Sequence, residues 1–150
     1  MRLLVQRVSR ASVRVGGITV SEIGAGLLIL VGIGVDDGPA EAGYLARKVH
    51  ELRIFDDENG KMNRSVSDVR GEILVVPQFT LYADVSKGRR PSWIRAAPPE
   101  VARERVETFA TMLEARGAQV RKGSFREHME VELVNDGPVT ILLEGSPSNP

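Results

Sequence analysis

A chain of 150 residues with 42% hydrophobic and 27% charged residues is long enough to fold as one domain around a buried core, and that balance argues against extended disorder. Twenty lysines and arginines match twenty aspartates and glutamates, so a nucleic-acid partner would have to be held by a local patch and not by the field of the whole molecule. With no cysteine there is no disulfide framework, thiol nucleophile or zinc ribbon.

From Arg2 to Val20 the pattern is β-rich: Leu4, Gln6 and Val8 alternate, Ser12 to Val15 continue, and Gly16-Gly17 can turn the chain. Two or three antiparallel strands are expected there. Leu27 to Val31 is an unbroken aliphatic run bounded by Gly24, Gly26, Gly32 and Gly34, the pattern of a central strand buried on both faces. The apolar segment from Gly24 to Val35 is too short and glycine-rich for a spanning helix, and no cleavable signal follows the single early arginine. A cytoplasmic location, with no membrane partner, is the expectation.

Asp36, Asp37 and Pro39 form a helix-start signal, and Ala42, Leu45, Ala46, Val49 and Leu52 recur at helical spacing, predicting a helix to about Arg53. Asp56 to Gly60 is a polar turn. Gly71 opens a strand through Ile73, Leu74, Val75 and Val76 that ends where Pro77 removes a backbone donor. A loop rich in Gly, Arg and Pro spans Asp84 to Pro99, and Ala102, Val106, Phe109, Ala110 and Leu113 then predict a second amphipathic helix ending at Gly117. Gln119 to Lys122, Met129 to Val134 and Val139 to Leu143 read as closing strands, and Glu144 to Pro150 as a loose tail. Nothing in the pattern separates a second domain from residues 1–150.

The residues that could carry chemistry are few. Gly32-Ile33-Gly34 lacks the third glycine of a dinucleotide loop, and no Walker-type Gly-Lys-Ser/Thr occurs. His50 and His128 have no metal-ligand spacing; His50 reads as helix packing, whereas His128 borders a strand that leads to the C-terminal motif. A small-molecule hydrolase with His128 as base is one reading. Lys87, Arg89, Arg90 and Arg95 surround Trp93, so that loop is either a solvated segment anchored by a buried indole or a contact for RNA phosphates and bases. Two weakly charged motifs remain: Pro77-Gln78-Phe79-Thr80-Leu81 and Asn135-Asp136-Gly137-Pro138-Val139-Thr140. Phe79 and Thr80 read either as plain strand residues or as a site, and Gly137-Pro138 either as a simple turn or as a pocket edge, since bonds to proline alone reach the cis form at ~0.5–1 kcal/mol.

The chain resembles the D-aminoacyl-tRNA deacylase family, in its bacterial form, from Met1 to Leu143. The resemblance rests on Gln6-Arg7-Val8, Ala11-Ser12-Val13, Gly24 to Leu28, Arg53-Ile54-Phe55, Gly60 to Asn63, Gln78 to Leu81, Arg90-Pro91-Ser92 and Asn135 to Thr140. It implies an α/β fold, a three-layer β-β-α sandwich of mostly antiparallel strands with two main helices. It further implies a homodimer with active sites at the interface, aminoacylated tRNA as substrate, and no metal or other cofactor. Carried over, Gly137 and Pro138 are a cis chiral selector reaching into the partner's pocket, held by Arg7. Gln78, Phe79 and Thr80 are the catalytic residues, Pro77 lies at the pocket edge, and Phe125 and Met129 contact the terminal adenosine. The reaction implied is hydrolysis of D-aminoacyl-tRNA and of Gly-tRNA(Ala), with the terminal 2′-OH of the tRNA assisting. Relatives often have Ser in place of Pro77 and small residues in place of Arg126 and Glu127, so a tRNA-binding module with impaired catalysis is the alternative.

Overall fold

The first strand, β1 (Arg2–Val15), is continuous, and a two-residue turn returns the chain as β2 (Ile18–Ile23). Gly16 and Gly17 take φ of +57° and +80°, the left-handed values that such a hairpin turn needs at both positions. β3 (Gly26–Gly32) pairs antiparallel with the first half of β1, and β2 pairs with its second half. A helix, α1 (Pro39–Glu51), crosses over to β6 (Glu72–Pro77), which lies parallel to β3, and a second helix, α2 (Pro99–Glu114), crosses to β7 (Gln119–Lys122), parallel to β6. Between α1 and β6, β4 (Phe55–Asp56) and β5 (Met62–Arg64) form a small ribbon around the polar turn. The last strand, β8 (Glu130–Glu144), pairs along almost all of β1.

This computed structural model describes residues 1–145, and the remainder of the expected tail lies outside them. Glu144, assigned to that tail in the sequence, is the last residue of β8 instead. The two closing strands expected at Met129 to Val134 and Val139 to Leu143 are one strand. Both helices stand where the spacing places them, but Asp37 does not cap α1: the cap is Gly38, whose N–H the Glu41 carboxylate accepts at 2.8 Å, with Pro39 in the first turn.

Burial explains the layering. Leu27, Ile29 and Val31 face the helices with Leu3, Val5, Ile73 and Val75, and meet Leu45 and Val49 of α1 and Phe109 and Leu113 of α2. Leu28, Leu74 and Val76 face the other way, onto Val8, Ala11, Val13 and Ile23. A strand buried on both faces carries no polar alternation, which is why Leu27 to Val31 reads as a solid run. β1 passes from one core to the other: Leu3, Val5 and Arg7 share the helix-side alternation, the ladder shifts register on either side of Val8, and Ala11 and Val13 then line the second core. The β1–β2 hairpin therefore folds over the sheet and brings β2 against β6 and β7 without pairing to them. Two β layers and one helical layer result, the architecture expected from the resemblance.

Gly26 marks the closest approach. A Cβ built there would stand 1.8 Å from the Glu72 carbonyl oxygen, so β3 and β6 cannot pair in this register with any other residue. Gly26→Ala is expected to lower the unfolding free energy by about 3 kcal/mol, measured by urea denaturation, because both partners of the clash are main chain.

Candidate active site

The C-terminal motif leaves the β1–β8 ladder. Gln6 pairs with Thr140 and Val8 with Asn135, so Asp136, Gly137, Pro138 and Val139 bulge out opposite the single residue Arg7. The Gly137-Pro138 peptide is cis, and both residues are exposed. Gly137 has φ of +131°, and a Cβ there would come within 2.8 Å of the Val139 side chain and 3.1 Å of Arg7 Nη2. Any other residue at this position is therefore strained both by backbone angle and by space.

Two side chains pin this loop. Arg7 is buried, and its Nε donates to the Asp136 carbonyl oxygen at 3.1 Å while Nη1 donates to the Ile54 carbonyl oxygen at 2.7 Å. Carboxylates of Asp136 and Asp56 stand 3.4 and 3.6 Å from the guanidinium and balance its charge. Asn135 closes the neck: its amide donates to the carbonyl oxygens of Arg7 and Val139, both at 2.9 Å, and its Oδ1 accepts from the Thr140 hydroxyl at 3.3 Å. The sequence places Asn135 in the motif without showing this role, since an Asn before Asp-Gly reads equally as a turn former.

The other motif lies at the carboxyl end of β6. Pro77 is the last strand residue, in register with Val31, and it does not disturb the next bond, Gln78 N–H to the Val31 carbonyl oxygen at 2.8 Å. Phe79–Tyr82 is a single 3-10 turn, not the strand that a plain reading of Phe79 and Thr80 implies. The Gln78 side-chain amide donates to the Thr80 hydroxyl. Among the described residues nothing accepts the N–H groups of Phe79 and Thr80, the first two amides of the turn. Phe79 is 55% exposed and meets Trp93 edge-on with ring centroids 5.0 Å apart. Trp93, which one of the two readings of its loop buries as an anchor, is itself 40% exposed, its ring partner being a surface aromatic and not the core.

Tyr82 is the buried residue of this turn. Its hydroxyl donates to Asp37 Oδ2 at 3.1 Å, and the same oxygen accepts the Gly34 N–H at 2.6 Å. Arg2 sits over the ring at 4.7 Å and donates from Nη1 to the Leu81 carbonyl oxygen at 2.8 Å. Burial first, and then the charge of Asp37, raise the phenol pKa well above its ordinary value, so it stays a neutral donor.

Gly123 to Met129 lies beside this end of the sheet, where the Gly123 N–H donates to the Val75 carbonyl oxygen at 2.9 Å. Phe125 packs on the helix-side core with Arg103 over its ring at 4.9 Å, and Met129 packs on the second core, its sulfur 3.3 Å from the Ser124 N–H. Arg126 and Glu127 are exposed, and the Arg126 guanidinium stands 4.0 Å from Glu100. Lys87, Arg89 and Arg90 are exposed on the loop that a bridge between Asp84 and Ser92 closes, Arg95 is exposed just beyond it, and none of the four forms an ion pair among the described residues.

His128 is exposed and has no hydrogen-bond partner among the described residues. His50 ends α1 beside a cavity of about 230 Å³ shared with Ser67, Arg70 and Gln119, at the opposite end of the sheet from Gln78. Among the described residues no three His, Cys, Asp or Glu side chains gather as metal ligands, and no helix is long and apolar enough to cross a membrane.

One chain does not bring the two motifs together. Pro77 stands level with Leu3 of β1, the bulge faces Arg7, and β8 lies three strands across from β6. At ~3.4 Å per residue along a strand and ~4.8 Å between strands, the separation is roughly 20 Å. The fold thus defines an α/β protein with two exposed main-chain motifs, each tied down by hydrogen bonds from behind and set apart from the other.

Residues 4–144 match the family described as D-Tyr-tRNA(Tyr) deacylase, and the chain belongs to it. It is 62% identical over 146 residues to a D-aminoacyl-tRNA deacylase of Thermomicrobium roseum, covering 97% of this chain and 95% of that protein. A D-aminoacyl-tRNA deacylase of Heliobacterium modesticaldum is 58% identical, with 97% of each chain covered. Among solved structures, the c-Myc DNA Unwinding Element Binding Protein superposes with a TM-score of 0.92 at 44% identity, over 97% of this chain and 99% of that one. A probable eukaryotic D-amino acid tRNA deacylase, at 17% identity, TM-score 0.81 and 95% and 97% coverage, shares the fold.

Removing the Asn135 side chain leaves two carbonyl oxygens without their donor. Asn135→Ala is expected to cost about 2 kcal/mol in urea unfolding and to speed amide exchange across residues 136–139 before the rest of β8.

Proposed function

We propose that this protein hydrolyses the ester of D-aminoacyl-tRNA, and of Gly-tRNA(Ala), to free amino acid and tRNA, and that it does so as a homodimer in the cytoplasm. Each active site is then shared, with Pro77, Gln78, Phe79 and Thr80 from one protomer and the Gly137-Pro138 loop from its partner. The observation that carries this reading is the separation of two exposed, rigid motifs within one chain. A second copy supplies what each motif lacks, and a symmetric pair completes two sites at once.

An amino acid ester on a ribose hydroxyl is already activated, so orienting water and stabilising the oxyanion are the main tasks. The unbonded N–H groups of Phe79 and Thr80 are suited to the second. Thr80 has no base beside it, and its hydroxyl is held by Gln78, which supports positioning and not nucleophilic attack. The terminal 2′-OH of the tRNA stands in for the missing protein base. Chirality is then policed by exclusion: main-chain atoms of Gly137 and Pro138, fixed by Arg7 and Asn135, fill the side of the substrate Cα where an L side chain would lie. Glycine has nothing to collide with and enters.

Phe125 and Met129, beside the same end of the sheet, are the surfaces for the terminal adenosine. Lys87, Arg89, Arg90 and Arg95 meet phosphates further along the acceptor arm. The undisturbed register at Pro77 and the outward Arg126 and Glu127 support the catalytic reading over the impaired one.

With purified protein, D-Tyr-tRNA is expected to lose its amino acid about 100-fold faster than L-Tyr-tRNA, and equal inertness towards both would remove the assignment. Gly137→Ala is expected to slow single-turnover hydrolysis of the D-ester by about tenfold, while Thr80→Ala slows it only in part. Replacing both Arg89 and Arg90 with Ala should reduce the slope of log Kd for tRNA against log salt by about 2, without altering the preference for D over L.

A further inference from the structure

A four-residue 3-10 turn has little rigidity of its own. Its ends are closed by Leu81 N–H to the Gln78 carbonyl oxygen at 3.2 Å and Ala83 N–H to the Thr80 carbonyl oxygen at 3.1 Å, bonds of the poorer geometry such turns have. Yet the assigned chemistry needs the first two amides of this turn fixed to within a fraction of an ångström, since donors act only where the developing charge will stand. Whatever holds Phe79 and Thr80 must therefore lie outside the turn.

Tyr82 meets that requirement. Its ring lies against Gly34, where a Cβ would approach the ring atoms to 2.9 Å, and against Gly32, where a Cβ would come within 2.9 Å of Leu81 Cβ and 3.2 Å of Tyr82 Cδ2. The glycine pair that looks in sequence like part of a nucleotide loop is thus the seat of an aromatic ring. Asp37, which looks like a helix cap, instead receives the phenol hydrogen and ties it to the backbone at Gly34. Arg2 covers the ring and holds the Leu81 carbonyl oxygen. Three elements, the start of β1, the end of β3 and the approach to α1, converge on one side chain of the turn.

We propose that Tyr82, gripped at its hydroxyl by Asp37 and on its ring by Arg2, is the positioning residue that sets where the Phe79 and Thr80 N–H groups stand. It acts through the turn and touches no substrate. The proposal rests on the functional reading above, so its test carries a readout that does not need activity. Because Asp37 keeps its bond to Gly34 when the phenol is lost, Tyr82→Phe removes the grip and leaves the seat intact.

The experiment compares wild type with Tyr82→Phe; Asp37 is left unchanged, because its other oxygen holds the Met1 ammonium. Steady-state hydrolysis of D-Tyr-tRNA is measured alongside amide hydrogen exchange by mass spectrometry. Tyr82→Phe is expected to lower kcat by about tenfold with KM unchanged, and to speed exchange in residues 78–83 while residues 27–31 and 73–76 stay protected. The proposal is overturned if Tyr82→Phe exchanges like wild type at 78–83, if exchange rises equally in β3 and β6, or if KM rises while kcat holds. Should wild type itself leave D-Tyr-tRNA intact, the functional reading falls and the exchange comparison alone decides the grip on the turn.

Discussion

Arg7 is a guanidinium sealed inside the sheet, and a buried charge persists only where acceptors surround it. Its acceptors are the Asp136 and Ile54 carbonyl oxygens, each held by a charge-assisted bond of about 1.5–3 kcal/mol. Both lie where the ladder is broken: one in the four-residue bulge of β8, the other in the segment leading from α1 to β4. The bulge and the buried charge thus require one another. If the ladder ran unbroken, Arg7 would lose the Asp136 carbonyl oxygen; if position 7 were apolar, the loop would lose its anchor. Val8 and Ser9 sit at the next register shift, so the same stretch also turns β1 from the helix-side core to the second core.

A loop fixed in this way is exposed for a reason other than mobility. Gly137 and Pro138 present main-chain surface at the molecule's edge while Arg7 and Asn135 hold the Asp136, Arg7 and Val139 carbonyl oxygens behind them. The turn at Phe79 to Tyr82 shows the same economy: an exposed front of amides and one ring, and a buried back of Tyr82, Gly32 and Gly34. Neither surface needs a titratable side chain to be chemically useful, because a preorganised N–H or C=O acts through its position. The roughly 20 Å between the two surfaces within one chain is the gap that the proposed second protomer would close.

Much of the fold is legible in the sequence because its elements are long and their patterns unmixed. Leu27 to Val31 announces a strand covered on both faces, Gly16-Gly17 a tight hairpin, and the spacing of Leu45 and Val49 or of Phe109 and Leu113 the two helices. What escapes is local or long-range. The β4–β5 ribbon is too short to leave a period, and its turn is set by Asp57, whose carboxylate accepts the N–H groups of Asn59 and Lys61. β8 reads as two strands because Gly-Pro looks like a break, when the chain bulges and resumes in register with β1. Asp37 and Tyr82 are 45 residues apart, and no local pattern reports that one receives the other's hydrogen bond. The candidate site was legible through its resemblance to a family. The residues alone left Phe79, Thr80, Gly137 and Pro138 without a function, since main-chain chemistry has no compositional mark.

Mixing two defective proteins tests the shared site directly. Thr80→Trp blocks the turn side and Gly137→Val spoils the loop side, so each protein alone should leave D-Tyr-tRNA intact. When the two are unfolded, mixed and refolded together, half of the dimers carry both kinds of chain, and each of these has one site with neither lesion. About a quarter of the wild-type rate should return. A mixture that remains inert although differently tagged chains co-purify as dimers would mean that loop and turn do not meet across the protomers.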